Sequence, residues 1–428
     1  MEHRGRVRGP TEGASVIDGD LQRWMERPLS RRQMLRGAGR SALGMSALAA
    51  FLAACSSGGD QPSASGGNGG ALPPQAGELT VAQWPLYIDR ARGGHRPTLE
   101  AFEAKDDVTV DYKERISDNQ AFFASLVPFF RKGQDTGWDL IALSDWVVGL
   151  MRENGWVDQL HHDALPHVDA NLLPAFRNPL YDPNNDHSVP WQGGVTGIAY
   201  DPTKTGFEIT RFADLWDDRL SGHVGMLTEM VDTVSLTLLM LGIEPKDATL
   251  DDVDQAVQKL SEQRDAGLVR GYYGQEYTQD MVAGNTWATM AWSGDVFYYK
   301  YLGGAPDLEF VVPEDGGMLW VTPLEIPALA QHPTDAHLFM DWYYRPEIAA
   351  QVTDWVLYMT PVDGVQDIMR EKAATSTGAD QKYYETLSES PMLFPPDDPS
   401  TANLHEYHTY DTETYQAWAE KFGTVINA

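Results

Sequence analysis

Cysteine is almost absent from this chain: Cys55 is the only one among 428 residues. No disulfide can therefore form within a single chain, and the stability of the folded state has to come from packing. Large apolar side chains are available for that purpose, since the sequence contains 13 Trp, 18 Tyr and 14 Phe.

Basic residues are also scarce. The chain has 32 Lys and Arg against 62 Asp and Glu, which gives a formal net charge of −30. Nine of the Arg and five of the acids lie in the first 54 residues, so the remainder has a net charge of −34. Without a basic surface to neutralise phosphates, nucleic-acid binding is disfavoured. The simplest interpretation of the negative charge is solubility, although such a field also attracts cationic solutes.

The apolar run at residues 42–54 is shorter than the ~20 residues that a membrane-spanning helix requires. It follows the paired arginines Arg31 and Arg32, and it ends in the small-residue sequence Leu52-Ala53-Ala54-Cys55. A charged region, a short apolar region and a cleavage site made of small residues are typical of an export signal. The arginine pair indicates the twin-arginine route, which exports a folded chain, and we predict that residues 1–54 form this signal.

Cys55 is predicted to be the mature N-terminus and to carry a lipid anchor. The residues that follow it are rich in Ser, Gly and Pro, and they cannot bury enough apolar surface to offset their ordering entropy. We therefore predict a flexible tether over residues 55–77. The alternative is a buried structural cysteine behind a chance arginine pair.

The rest of the chain alternates predicted strands with predicted helices. The strands are predicted at 79–82, 108–112, 138–143, 195–200, 224–227, 287–292 and 318–326. The helices are predicted at 96–104, 122–131, 212–216, 234–241, 250–264, 334–344, 346–353 and 407–422. This order favours an α/β fold with a mostly parallel sheet. About 350 residues exceed one typical hydrophobic core, so two domains or lobes are expected.

A series of short motifs runs from about residue 78 to the end of the chain. The motifs are Gln83-Trp84-Pro85-Leu86-Tyr87, Trp138-Asp139-Leu140 leading to Ser144, 182–190, 212–216, 291–295, 316–320, Arg345-Pro346 and Tyr358-Met359-Thr360-Pro361. No single motif is specific. In this order and spacing they resemble the extracellular solute-binding proteins of polyamine (spermidine/putrescine) ABC importers.

The resemblance implies a two-lobe, type II periplasmic-binding-protein-like α/β fold with mixed sheets and crossing hinge segments. Lobe 1 would comprise residues 78–200 and 323–375, and lobe 2 residues 201–322 and 376–428. It also implies a monomeric, non-enzymatic protein that needs no cofactor or metal. Such a protein passes a small cationic solute to a permease and its ATPase, in the periplasm or at the outer face of the cytoplasmic membrane.

A polyamine carries ammonium groups on an apolar stem, so its site requires aromatic faces and carboxylates. By position, the resemblance assigns ligand contacts to Ser144 and to the aromatic residues Trp84, Tyr87, Trp146, Trp292, Trp320 and Tyr358. Trp84, Ser144 and Trp292 each lie just past a predicted strand, where ligands of α/β folds bind. For an arbitrary Trp, core packing is the more common role.

Asp295 is the sharpest candidate for receiving an ammonium group. Trp292-Ser293-Gly294-Asp295 matches the Trp-x-Gly-Asp motif of putrescine-type members, and the alternative role for Asp295 is a helix N-cap. Four further candidates fit the family pattern less well. Thr322 stands where the family usually has an acid, and Glu229 and Asp232 lie near positions of expected acids but out of register. His405 lies near a position where a polar ligand contact is usual. We therefore predict a putrescine-like amine in preference to spermidine.

Three other functions have weaker support in the sequence. A serine hydrolase is disfavoured because no Gly-x-Ser-x-Gly occurs. A zinc site at His405-Glu406-Tyr407-His408 is one residue short of the His-Glu-x-x-His spacing. A ferric-ion or other small-solute binding protein of the same fold stays the main alternative, because ferric-ion binders use adjacent tyrosines. The available pairs are 272–273, 298–299, 343–344 and 383–384.

Overall fold

The computed structural model describes residues 71–427, so the predicted export signal and Cys55 lie outside the described residues. Ten strands are present in the described part: β1 Glu78–Gln83, β2 Thr109–Glu114, β3 Leu140–Ile141, β4 Ser188–Tyr200, β5 Val224–Leu227, β6 Val269–Tyr273, β7 Ala288–Trp292, β8 Glu309–Val311, β9 Gly317–Glu325 and β10 Leu404–His405. All ten strands join one sheet.

Helices separate most of these strands. They are α1 Pro97–Asp106, α2 Asn119–Arg131, α3 Asp145–Glu153, α4 Pro166–Asn171, α5 Pro202–Thr205, α6 Met230–Met240, α7 Leu250–Asp265, α8 Tyr277–Ala283, α9 Ser293–Tyr301, α10 Pro333–Tyr343, α11 Pro346–Val356, α12 Val365–Thr375, α13 Gly378–Ser388 and α14 Thr412–Ile426. Within residues 71–427, no helix combines the length and apolar character needed to cross a bilayer.

The sheet is mixed, in the order β2-β1-β3-β9-β4-β7-β5-β6, with β10 beside β9 and β8 beside β4. The βα units at its two ends are parallel, β1 with β2 and β3, and β5 with β6 and β7. The expectation of a mostly parallel sheet needs correction at the centre. There β4 runs antiparallel to β7, β8 and β9, because strand direction depends on the connections and not on the alternation of helices and strands.

The central strand β4 connects the two ends of the sheet. All 13 of its residues are buried. Its first part, Ser188 to Thr196, pairs with β9, and its last part, Thr196 to Tyr200, pairs with β7. The β4–β9 pair therefore crosses the middle of the molecule, and its register shifts between Pro190 and Gln192. The division of the chain into two lobes at the boundaries given above stays a prediction.

Most predicted elements exist, with shifted ends. The segment 212–216 is a 3₁₀ turn instead of an α-helix. The C-terminal helix begins at Thr412 and not at Tyr407, because Asp411 caps it by accepting a hydrogen bond from the Thr414 N–H at 2.6 Å. Residues 365–388 form α12 and α13, for which the sequence analysis made no prediction.

Candidate ligand-binding site

Four of the predicted aromatic residues form one continuous series of ring contacts. The ring centroids of Trp84 and Tyr87 are 6.4 Å apart, those of Tyr87 and Tyr358 are 5.9 Å apart, and those of Tyr358 and Trp320 are 5.2 Å apart. Trp84 follows β1, Trp320 lies in β9 and Tyr358 follows α11. Separate segments of the chain thus build a shared aromatic wall, which we call the aromatic series.

Backbone conformation positions two members of the aromatic series. Leu86 and Leu357, which directly precede Tyr87 and Tyr358, have φ angles of 66° and 61°. A positive φ is unfavourable for a residue with a branched side chain, and such strain concentrates at functional sites.

Two glycines allow the aromatic series to approach the backbone. A Cβ atom at Gly294 would overlap the ring of Tyr358, and a Cβ atom at Gly194 would overlap the ring of Trp320. Only glycine fits at these two positions without moving the rings. Gly294 thus explains why a glycine precedes the acid in the Trp-x-Gly-Asp motif.

Asp295 lies at the end of the aromatic series. Its side chain is buried, and it accepts hydrogen bonds from Gln275 Nε2 at 2.5 Å, from the Tyr277 hydroxyl at 3.0 Å and from the Tyr358 hydroxyl at 3.1 Å. The residue at the N-cap of α9 is Trp292, so these side-chain donors and not helix capping account for Asp295.

Trp292 connects this carboxylate to a second one. Its indole Nε1 donates to Asp232 Oδ2 at 3.2 Å. Its backbone N–H donates at 3.1 Å to the same Tyr277 hydroxyl that donates to Asp295. The half-buried Trp292 ring therefore lies between two buried carboxylates.

Asp232 and Glu229 differ in their free acceptor atoms. Asp232 Oδ1 accepts from the Thr196 hydroxyl at 2.5 Å and also from the Tyr407 hydroxyl, so both Asp232 oxygens have partners. Glu229 Oε1 is buried and has no hydrogen-bond partner among the described residues. Glu229 is therefore the better placed of the two to receive an additional donor.

Ser144 joins the group that contains Glu229. Its backbone N–H donates to Asn119 Oδ1 at 3.1 Å, and its hydroxyl accepts from Asn119 Nδ2 at 2.9 Å. The Asn119 side chain also opposes the rise in the pKa of the Glu229 carboxyl. Asn119 thus links the β3–α3 turn to the start of α6.

Three predicted ligand residues lie outside these contacts. Trp146 is buried and stacks on Tyr415 with a centroid distance of 4.5 Å. His405 Nδ1 contacts Glu244 at 2.9 Å. Thr322 is buried within the β4–β9 pair, opposite Gln192. Ligand contacts by these three residues stay predictions.

A cavity of about 390 Å³ lies behind β9, and Trp146 and His405 both line it. Leu319 and Val321 line the same cavity. Because side chains alternate along a strand, Trp320 points to the opposite face of β9. Trp146 and His405 are therefore on the far side of β9 from the aromatic series.

The buried acids of this region have raised pKa values. Burial raises the pKa of Asp145 to about 7, although the Val321 and Trp146 backbone N–H groups oppose the shift. Burial also raises the pKa of Asp232, and it raises that of Glu229 further, with repulsion from Asp232 adding to the effect. None of these three carboxyls forms an ion pair with another described residue. A cation placed among them would offset their desolvation.

Replacing Asp145 by Asn should change how the stability of the ligand-free protein depends on pH. An unfolded Asp ionises near pH 4, whereas the folded Asp145 ionises near pH 7, so the wild-type free energy of unfolding falls as the pH rises through this interval. Asn does not ionise, so the free energy of unfolding of the variant lacks this fall. Between pH 4.5 and 8, the wild-type melting temperature should fall by about 5 °C more than that of the variant. If the melting temperatures of the wild type and the variant change equally with pH, the raised pKa of Asp145 is wrong.

Two of the four tyrosine pairs that suggested a ferric-ion binder use their hydroxyls in other contacts. The Tyr343 and Tyr344 hydroxyls donate to backbone carbonyls at 2.8 and 2.6 Å. The Tyr383 and Tyr384 hydroxyls converge on Asp354, where the Lys372 ammonium lies 3.6 Å from the carboxylate. A lysine already supplies the positive charge at that point. Residues 71–427 also contain no cluster of three His, Cys, Asp or Glu side chains suited to a metal ion.

Sequence reasoning missed the residues that support the candidate ligands. They are Asn119, Thr196, Gln275, Tyr277 and Tyr407. Each makes its contact across at least 18 residues of sequence, so no local pattern marks it. Only the glycine of the Trp-x-Gly-Asp motif was a usable signal.

Comparisons with known proteins identify the family of the chain. The sequence model described as bacterial extracellular solute-binding protein matches residues 137–383. The spermidine/putrescine-binding periplasmic protein of Escherichia coli K12 is 27% identical over 268 residues, 61% of this chain and 73% of that protein. The putrescine-binding periplasmic protein PotF of the same organism is 24% identical over 348 residues, 77% of this chain and 86% of that protein.

Solved structures show the same fold. The spermidine/putrescine ABC transporter substrate-binding protein PotD of Streptococcus pneumoniae has a TM-score of 0.66 and 21% identity, covering 81% of this chain and 98% of its own. The TpPotD lipoprotein of Treponema pallidum has a TM-score of 0.67 and 18% identity, with coverages of 82% and 100%. These structures confirm the predicted type II periplasmic-binding-protein-like fold class. Since the family match spans more than half of the chain, the protein belongs to the bacterial extracellular solute-binding proteins, and the resemblance to the polyamine ABC importer group is confirmed.

Proposed function

We propose that this protein binds a small aliphatic amine with one or two cationic nitrogens, such as putrescine, at the aromatic series. The observation that carries the proposal is the position of Trp292 between the buried carboxylates of Asp232 and Asp295. An alkyl stem fits against aromatic faces, and each ammonium group requires a carboxylate once water is removed. The names of the curated relatives, which are spermidine/putrescine- and putrescine-binding proteins, support the same class of ligand.

We further propose that the protein is exported by the twin-arginine route and anchored by lipid at Cys55. At the outer face of the cytoplasmic membrane or in the periplasm, it would deliver its ligand to an ABC permease and the associated ATPase. The motif order in residues 30–55 supports the anchor, and one of the related structures is named as a lipoprotein. Ligand contacts from both lobes would favour a closed form, which the permease recognises.

Titration calorimetry on the mature protein tests the binding proposal. Putrescine and spermidine are titrated in parallel with a neutral amino acid and with ferric citrate. Binding of putrescine, with weaker binding of spermidine and none of the amino acid, supports the proposal. Binding of ferric iron accompanied by visible colour, without binding of either amine, would replace it by the ferric-ion alternative.

Removing a single Trp side chain from the candidate site should weaken ligand binding without unfolding the protein. For Trp292→Ala and Trp320→Ala we expect a loss of about 1–3 kcal/mol each in putrescine binding, because cation–π contact and apolar burial are both lost. The Trp292 variant also loses the hydrogen bond to Asp232. Calorimetry measures the affinity, and thermal melting without ligand measures the stability.

Trp216→Ala is the matched control. Trp216 is also half-buried, but its Nε1 donates to the Lys259 carbonyl and its ring packs on Phe212, away from the aromatic series. This variant should lose stability and keep its affinity. If Trp292→Ala or Trp320→Ala instead lowers the melting temperature as strongly as the control and binds putrescine normally, that Trp is a core residue.

A further inference from the structure

The pairing between β3 and β9 stops after a single residue pair, Ile141 with Glu325. Antiparallel pairing continued in the same register would place Leu143 opposite Pro323. Proline has no N–H to donate, so this pair could form only one of its two ladder hydrogen bonds. The backbone between β3 and α3 therefore needs another connection to β9.

Two carboxyl groups supply this connection in opposite directions. Glu325, on β9, accepts a hydrogen bond from the Leu143 N–H at 3.0 Å. Asp145, at the start of α3, accepts a hydrogen bond from the Val321 N–H at 2.9 Å. We call these two reciprocal carboxyl-to-amide hydrogen bonds the carboxyl clasp.

Both acids of the carboxyl clasp are fully enclosed. Asp145 is 5% exposed and Glu325 is 0% exposed. Among the described residues, no basic side chain forms an ion pair with either one. Burying an acid without a counter-ion is unfavourable, and burial raises the pKa of both groups. Apolar side chains would fill the same space without the free-energy cost of burying a carboxyl group, which points to a geometric role for these two acids.

Several charged or titratable groups surround the carboxyl clasp. Those facing Asp145 or Glu325, or lining the same cavity as Asp145, are Arg177, Tyr181, Asp182, Asp232, Glu244, Lys246, Asp398, His405, Glu406, Tyr407, His408 and Tyr410. The nearest carboxyls repel negative charge at Asp145. The carboxyl clasp therefore depends on its hydrogen bonds and not on attraction to a neighbouring cation.

We infer that Asp145 and Glu325 are positioning residues for the ligand site. They hold the turn that carries Ser144 against the strand that carries Trp320 and Thr322. This inference rests on the binding function proposed above. Since β9 also crosses the centre of the sheet, a loosened carboxyl clasp would shift the turn and the aromatic series relative to each other.

The test compares variants that remove the acceptor with variants that keep it. Asp145→Leu and Glu325→Met replace the carboxyl group by an apolar group and so remove the acceptor, whereas Asp145→Asn and Glu325→Gln keep one carbonyl acceptor for the Val321 or Leu143 N–H. Asp335→Leu is the matched control, because Asp335 is also fully buried and accepts from two backbone N–H groups, at Ala76 and Gly77.

Two readouts are collected on the mature protein. Hydrogen–deuterium exchange without ligand should accelerate in both 142–150 and 317–325 for Asp145→Leu and Glu325→Met, but not for the Asn and Gln variants or the control. Putrescine affinity should fall about 10-fold for the two acceptor-free variants and stay within about 3-fold for the others, as expected when a buried amide loses its acceptor.

The two readouts separate the possible failures. If the wild type binds neither putrescine nor spermidine, the proposed function is wrong, and the exchange rates still decide whether the carboxyl clasp holds the two segments together. Unchanged exchange in Asp145→Leu and Glu325→Met overturns the carboxyl clasp. Accelerated exchange with unchanged amine affinity overturns its positioning role.

Discussion

Replacing Asp295 by Asn is expected to weaken putrescine binding by about 30-fold to 4,000-fold, which corresponds to ~2–5 kcal/mol. Asp295 is the buried acid at the end of the aromatic series. Losing its charge leaves an ammonium group desolvated without a counter-ion. In addition, the amide nitrogen of Asn donates, and it would face the donors of Gln275, Tyr277 and Tyr358.

The matched control for this variant is Asp251→Asn, which makes the same change of charge at an exposed position on α7. Calorimetry with putrescine and spermidine on the wild type and both variants measures the effect, and melting curves identify any loss of fold. Asp251→Asn should bind like the wild type. Equal losses of putrescine affinity in Asp295→Asn and Asp251→Asn would mean that the overall negative field, and not Asp295, attracts the ligand.

Spermidine distinguishes the acids within the site. Thr322 replaces one usual acid of the family, so a preference for putrescine over spermidine is expected. If spermidine binds tightly and its binding survives Asp295→Asn, recognition of the ammonium group moves to Glu229 or Asp232. The unpartnered Glu229 Oε1 makes Glu229 the first of these two to test.

Local patterns in the sequence predict the elements that carry the site. The segments before Trp84 and Trp292 are short and largely apolar, which predicts buried strands, and both strands are present. Two features of the fold could not be predicted this way. The antiparallel course of β4 depends on pairing with segments about 90–140 residues away, at β7 and β9. The late start of α14 is masked in the sequence by Tyr407 and Tyr410, which extend the aromatic pattern to residues that precede the Asp411 cap and are buried outside the helix.

The same limit applies to the candidate site. Trp292 and Asp295 could be proposed because a compact motif contains both residues. The hydroxyl of Tyr277, which connects them, could not be proposed, because its role arises only when α8 packs against β7. Likewise, the sequence offers no means of choosing between Glu229 and Asp232. Their difference lies in which oxygen atoms the fold has already paired.

Replacing Cys55 by Ala is expected to move the protein from the membrane fraction to the soluble extracytoplasmic fraction almost completely. One acyl chain binds a bilayer marginally, but each buried methylene contributes ~0.8 kcal/mol, so several chains on one cysteine hold firmly. Ser56→Ala is the control, since it changes the neighbouring residue and leaves the thiol that would be acylated. Fractionation with immunoblotting measures the distribution. If Cys55→Ala stays in the membrane fraction at the wild-type level, the protein is held there by something other than a lipid on Cys55.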